Sequence, residues 1–262
     1  MGGRKVFFEF QQFTIDQSHA AMKVGTDSDL LGALSAGGSR ILDIGTGTGV
    51  LALLMAQRFP DAHVTAIDID ENAIIDATTN FANSPFSERL TLYHTSLQDF
   101  VSPNSQELPT SPQVSESPSP WERDGERIFD SIICNPPYFD RSLEAPDKSR
   151  ARARHTSSLT FKELISSAYQ LLVDGGTFSV CIPPEVLSIF SAECLLTGFW
   201  LQHNYQIKSL PHKPPKRYIL IYKKGRTECT DHEHCMRNAD HSYSEWYKKI
   251  TGDFLKPPVK LS

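Results

Sequence analysis

Arg40-Ile41-Leu42-Asp43-Ile44-Gly45-Thr46-Gly47-Thr48-Gly49 is the stretch that decides the fold. Arg40 to Ile44 is a short apolar run of the kind that forms a buried strand, and it enters a turn with three glycines at every second position. The pattern from Val50 to Arg58 is helical. Strand, glycine turn and helix together open a nucleotide-binding βαβ unit. Glycines let the backbone turn tightly and approach a ligand with no Cβ in the way, and the helix start presents free N–H groups. A dinucleotide fingerprint would place its third glycine one residue later, where this chain has Val50. The order Asp43-x-Gly45-x-Gly47-x-Gly49 therefore departs from that fingerprint.

The next strand pattern, His63 to Asp68, ends in an acid about 20 residues past the glycines, where a carboxylate can hold both hydroxyls of a ribose. Asp68 is the expected ribose ligand. Asp70, its neighbour, suits the cap of a helix from Glu71 to Ala82. Leu90 to His94 reads as a third strand and leads into Thr95-Ser96-Leu97-Gln98-Asp99. The order Asp43-x-Gly45-x-Gly47-x-Gly49 resembles that of S-adenosylmethionine-dependent methyltransferases, which commonly set an acid against the adenine amine here. Leu97 occupies the aligned position, so Asp99 or Ser96 is the expected substitute.

A second motif lies downstream. Ile128 to Cys134 is apolar and β-branched and ends in Asn135-Pro136-Pro137-Tyr138. Open α/β sheets bind ligands at the carboxyl ends of their strands. Two successive prolines donate no N–H and hold the chain extended, leaving the carbonyl beside Asn135 to point outward. The asparagine oxygen is a second acceptor and the tyrosine ring a stacking face. Two acceptors and a flat ring suit a planar exocyclic amine. Taken alone, the tetrapeptide is equally a Pro-rich turn after a strand, and only the glycine loop upstream favours a site.

The whole sequence bounds the answer. With 262 residues, 39% of them hydrophobic, the chain suits one globular α/β domain over 1–262. There is no apolar leader, and Val50 to Ala56 is too short to span a bilayer, which points to a soluble, cytoplasmic protein with no membrane contact. Five scattered cysteines do not make a disulfide framework. A net charge of −5 supplies no global attraction for nucleic acid, so an RNA partner needs local basic clusters. Arg150, Arg152 and Arg154, flanked by Lys148 and His155, form one. Lys213, Lys216 and Arg217 form another, within a terminal hairpin running from Phe199 to Lys223.

Residues 6–17 are aromatic-rich and read as one or two short strands beside the ligand pocket. Ala21-Met22-Lys23-Val24-Gly25-Thr26-Asp27 precedes a short helix that Thr26 or Asp27 would cap, and Lys23 and Thr26 stand where they could reach a ligand carboxylate. Residues 102–126, dense in proline and serine, read as a disordered insertion between core strands. The run Cys229-Thr230-Asp231-His232-Glu233-His234-Cys235 raises zinc, but no standard ligand spacing is met, and an alternating edge strand explains it as well; no metal is expected. Tyr243 to Leu255 has apolar residues at helical spacing and should dock on the domain.

Taken together, these segments resemble one family, the tRNA adenine-N6 methyltransferases that modify the adenine beside the anticodon of valine tRNA. The resemblance is carried by Phe10-Gln11-Gln12-Phe13, by Ala21 to Asp27 with Leu30-Leu31-Gly32-Ala33, by Asp43 to Gly49, by Asn135 to Tyr138, and by the tail from Tyr243 to Phe254. It implies a Rossmann-like class I methyltransferase with a seven-stranded, mostly parallel sheet and an antiparallel last strand. It also implies S-adenosylmethionine as cofactor, held by Lys23, Thr26, Asp43, Gly45, Gly47, Gly49, Asp68 and Asp99, with Asn135, Pro136, Pro137 and Tyr138 at the reacting amine. Glutamine, DNA-adenine and guanine-N2 methyltransferases share the glycine loop and tetrapeptide, and a non-catalytic RNA-binding module is the alternative of another class.

Overall fold

The computed structural model describes residues 6–20, 22–102, 128–136 and 159–256. Its centre is a sheet of eight strands. The first strand of that sheet, β3 (Arg40–Ile44), pairs in parallel with both β4 (His63–Asp68) and β6 (Phe129–Cys134). Beyond β4 lies β5 (Leu90–His94), and beyond β6 lies β7 (Leu172–Ile182), both parallel to their neighbours. Strand β9 (Pro215–Lys224) then runs antiparallel between β7 and β8 (Phe199–Lys208). The expected seven strands, β3 to β9, are thus present with the seventh reversed. An eighth, β10 (Thr230–Cys235), joins β8 in parallel at the edge. It is the His- and Cys-bearing run, and its alternation is that of an edge strand with one face on the protein.

Helices cover both faces. One core holds α1 (Thr26–Leu34), α2 (Val50–Arg58), α3 (Glu71–Ala82) and the tail helix α7 (Glu245–Thr251). The opposite core holds α4 (Leu97–Val101), α5 (Phe161–Leu171) and α6 (Leu187–Thr197), with Phe178, Phe190 and Phe199 buried together. The central strands are buried on both faces, as in parallel sheets sandwiched by helices. Of the Pro/Ser-rich insertion only Ser102 is among the described residues. None of the described helices is long and apolar enough to cross a membrane.

The N-terminal segment forms a hairpin of β1 (Phe7–Glu9) and β2 (Thr14–Asp16), as the aromatic alternation implied. The tail docks against it: Gln11 donates through its side chain to the carbonyls of Gly252 and Leu255, and its backbone N–H reaches Phe254 O at 2.7 Å. Helix α1 starts differently from the sequence expectation. Gly25 is its N-cap, without a side-chain cap, and Thr26 is the first helical residue. Asp27 lies inside the first turn rather than at the cap, and Arg217 Nε holds its carboxylate at 2.7 Å.

Two residues further on, Asp29 is buried under α7, where the Tyr247 hydroxyl donates to it at 3.4 Å and Oδ1 has no partner. Burial pushes its pKa up to about 7 from an ordinary 3.8, Tyr247 works against this, and the nearby Asp27 charge adds to it. A raised folded pKa means that the folded chain binds the extra proton, so this stability is whole below about pH 4 and is lost as pH rises through about 7. Asp29→Asn should therefore flatten the fall in stability across that window by about 1 to 3 kcal/mol. Urea denaturation at a series of pH values checks this, and an unchanged slope would count against it.

Candidate active site

Strand order reverses at β3. The chain steps outward to β4 and β5 on one side and returns on the other through β6 and β7. That reversal leaves a crevice outside the carboxyl ends of β3 and β6, the usual ligand position in an open α/β sheet. The register fixes what meets there. Ile44 is opposite both Ile67 and Cys134, and Asp68 is opposite His94, so the glycine loop, Asp68, Thr95 and Asn135 all leave the sheet along one edge.

The loop is built from Asp43. Its carboxylate is 0% exposed and accepts from the Thr46 hydroxyl at 2.6 Å and the Ala52 N–H at 3.1 Å, tying the loop and the first turn of α2 to β3. Burial, helped by the Asp68 charge, pushes the Asp43 pKa up to about 7. Asp43 thus holds the loop from behind, and its Oδ1 has no protein partner. From the other side, Gly45 and Thr46 donate to Ile67 O at 2.9 and 3.0 Å. Gly45 and Gly47 have φ of 69° and 58°, and a Cβ on either would enter open space. Gly49, at φ 82°, differs: a Cβ there would lie 2.5 Å from the Phe81 ring of α3.

Asp68 sits half-buried at the end of β4. It accepts from Gly47 N–H at 2.8 Å through one oxygen and from Asp70 N–H at 2.9 Å through the other. A carboxylate has about four acceptor positions, so two remain for a ligand. Asp70 caps α3 by accepting from Asn72 N–H at 3.0 Å, as its place in the sequence suggested. After β5, Ser96 caps α4 and pairs with Asp99 at 2.6 Å, while Leu97 is buried in the core beneath. Asp99 is exposed in the first turn of α4, its carboxylate engaged with that cap.

Asn135 is half-buried and Pro136 buried at the end of β6; Pro137 and Tyr138 lie outside the described residues. Cys134 beside them is buried, and burial, with the charges of Asp43 and Asp68, pushes its thiol pKa well above the usual range. Lys23, exposed, donates its ammonium to Gln17 O, and Gln17 Oε1 accepts from Val24 N–H at 2.9 Å. The basic clusters fare unevenly. Arg150, Arg152 and Arg154 are outside the described residues, Lys213 and Lys216 are exposed on the β8–β9 hairpin, and Arg217 is spent on Asp27. No cluster of His, Cys, Asp and Glu able to hold a metal occurs among the described residues. In β10, His232 stacks on Tyr205 at 4.2 Å and His234 on Trp246 at 4.2 Å.

Two residues of this region escaped the sequence reading. Asp76 and Asn80 lie four apart on the buried face of α3, and both reach the N-terminal segment. Polar side chains recurring at helical spacing inside an apolar stripe were the available signal.

Relatives bear directly on this site. A methyltransferase-domain family model matches residues 41–113. A protein of Bacteroides thetaiotaomicron named tRNA1(Val) (adenine(37)-N6)-methyltransferase is 38% identical over 251 residues, covering 95% of this chain and 96% of its own. One of the same name from Vibrio parahaemolyticus is 36% identical over 250 residues, covering 94% of each. The chain belongs to this family. Solved structures share the fold at lower identity: a predicted O-methyltransferase from Agrobacterium tumefaciens (TM-score 0.63, 19% identical, 87% of this chain and 96% of that one) and a methyltransferase from Pyrococcus furiosus (0.51, 21%, 81% and 90%). The family's glycine loop leaves little room for change at its last glycine. Gly49→Ala, strained at positive φ and pressed on Phe81, should cost about 1 to 3 kcal/mol of stability. A thermal melt checks it, and a variant as stable as the native protein would contradict this packing.

Proposed function

We propose that this protein transfers a methyl group from S-adenosylmethionine to the exocyclic N6 amine of the adenine beside the anticodon of valine tRNA. The observation that carries the reading is the juxtaposition at one sheet edge of the glycine loop after β3, Asp68 after β4 and Asn135-Pro136 after β6. Family membership along nearly the full chain narrows the amine to a tRNA adenine.

The residues present suit a nucleoside cofactor. Gly45 and Gly47 leave the loop backbone open to close approach. Asp68 keeps acceptor capacity for the two ribose hydroxyls, while its bonds to Gly47 and Asp70 hold it in place. Lys23 and Thr26 are assigned to the carboxylate end, and Asp99, across the mouth of β5, to the adenine side. S-adenosylmethionine supplies an electrophilic methyl group when bound. Asn135 accepts one amine hydrogen through its side-chain oxygen and the Pro136 carbonyl accepts the other, which favours a pyramidal nitrogen with its lone pair toward the methyl group. Alignment of this kind can contribute about 7 to 11 kcal/mol, so no strong base is required, and the proton leaves to solvent after transfer. Tyr138 is assigned to stacking on the base, which must leave the anticodon-loop stack to enter the site. Lys213 and Lys216, together with Arg150, Arg152 and Arg154, are assigned to the phosphate backbone.

A cytoplasmic location fits a tRNA substrate. The non-catalytic alternative has no use for an amine-polarising pair. Asn135→Ala should lower turnover on tRNA by about 10- to 100-fold, equivalent to one charge-assisted hydrogen bond, with cofactor affinity unchanged. Single-turnover kinetics beside calorimetric titration with S-adenosylhomocysteine tests this. Wild-type turnover in the variant would overturn the assignment of the site.

A further inference from the structure

Asn80, in the last third of α3, is 2% exposed and uses its whole amide. Its oxygen accepts from Asp16 N–H at 2.7 Å, and its nitrogen donates to Asp16 O and Thr48 O, both at 2.8 Å. One side chain therefore joins the end of β2 to the glycine loop. The strap that follows β2 is held on the same helix by Asp76, which accepts from His19 N–H at 3.0 Å and Ala20 N–H at 2.8 Å and from the His19 ring at 2.7 Å. From this anchored strap Gln17 reaches forward, taking the Lys23 ammonium on its carbonyl and Val24 N–H on its side chain. Polar contacts thus run from Thr48 through Asn80 to Asp16, and, across the Asp16–Gln17 peptide bond, from Gln17 to the segment that enters α1.

We propose that Asn80 is a positioning residue for cofactor binding. It sets the distance between the glycine loop and the strap, and through Gln17 it places Lys23 and the Val24 to Thr26 turn over the pocket. This rests on the reading of that pocket as the S-adenosylmethionine site. Both ends of the Asn80 link are backbone carbonyls and a backbone N–H, so what matters is the amide's two donors and one acceptor in one rigid plane. Any replacement that fills the space without both donors leaves a buried carbonyl unpaired.

The test is calorimetric titration of S-adenosylhomocysteine into the full chain, with initial-rate kinetics on tRNA. Asn80→Ala should raise the dissociation constant about 10- to 100-fold. At saturating cofactor, kcat and the KM for tRNA should stay within about twofold of native, since the tetrapeptide end of the site is untouched. Asn80→Asp, equal in size but lacking both donors, should bind no better than Asn80→Ala, whereas a space-filling role would rank it near native. Ile165→Val in the opposite core is the control for loss of stability alone and should leave affinity unchanged. Asn80→Ser provides the milder variant should the alanine form not fold. Native affinity in Asn80→Ala or Asn80→Ser, or an equal loss in Ile165→Val, would overturn the proposal. A native chain that does not bind S-adenosylhomocysteine would instead overturn the cofactor reading beneath it.

Discussion

A carboxylate with no exposure to water holds the glycine loop. Asp43 lies inside the sheet, carries bonds from Thr46 and Ala52, and is pushed toward neutrality by its own burial. Burying such a group costs free energy unless it is hydrogen-bonded, and here the bonds it forms fix the path of the backbone from β3 into α2. Everything at the site edge is measured from that path. Gly47 N–H meets Asp68 only because the loop is pinned from behind, and Thr48 O meets Asn80 for the same reason. On the other flank β6 pairs with β3 in register, which brings Asn135 to the same edge.

The segments outside the sheet converge on this edge as well. Phe10 to Phe13, the strap after β2 and the entry to α1 follow one another in the chain, and the tail from Tyr243, far away in sequence, packs with them as one body. Gln11 clasps the end of the tail, Tyr247 meets Asp29, and Arg217 meets Asp27. This body lies on the α2 and α3 side of the sheet, against the half of the pocket assigned to the cofactor. The segments outside the glycine loop and the tetrapeptide that carry the family resemblance are therefore packed together rather than scattered over the surface.

Much of this was legible in the sequence because the strands are short and apolar and the turns are marked by Gly and Pro. Asp43 to Gly49 and Phe129 to Asn135 announce both the strand ends and the edge they share, and the acid at Asp68 follows at the spacing that a βαβ unit demands. What the sequence concealed was competition between partners. Thr26 and Asp27 look like helix caps, but the helix starts one residue earlier, on Gly25, and Arg217, 190 positions away, takes the Asp27 carboxylate. The same ion pair removes Arg217 from the cations free to meet RNA. Ser96 and Asp99 cap α4 together, a pairing that the sequence order alone does not show. The run from Cys229 to Cys235 looks metal-like in one dimension, whereas alternation across a strand sends His232 and His234 to stack on Tyr205 and Trp246. The spacing of Asp76 and Asn80 marks a buried polar pair, but not what Asn80 joins, because its partners are backbone atoms.

The central claim is a methyl transfer to one amine of one kind of RNA, and it is tested most directly by following the methyl group. Purified protein is incubated with methyl-labelled S-adenosylmethionine and total unmodified tRNA, and the labelled RNA is digested to nucleosides and mapped by mass spectrometry. The account predicts label in N6-methyladenosine, located beside the anticodon of valine tRNA, and none in the protein. Label in a guanosine, in protein, or in no product at all would contradict it.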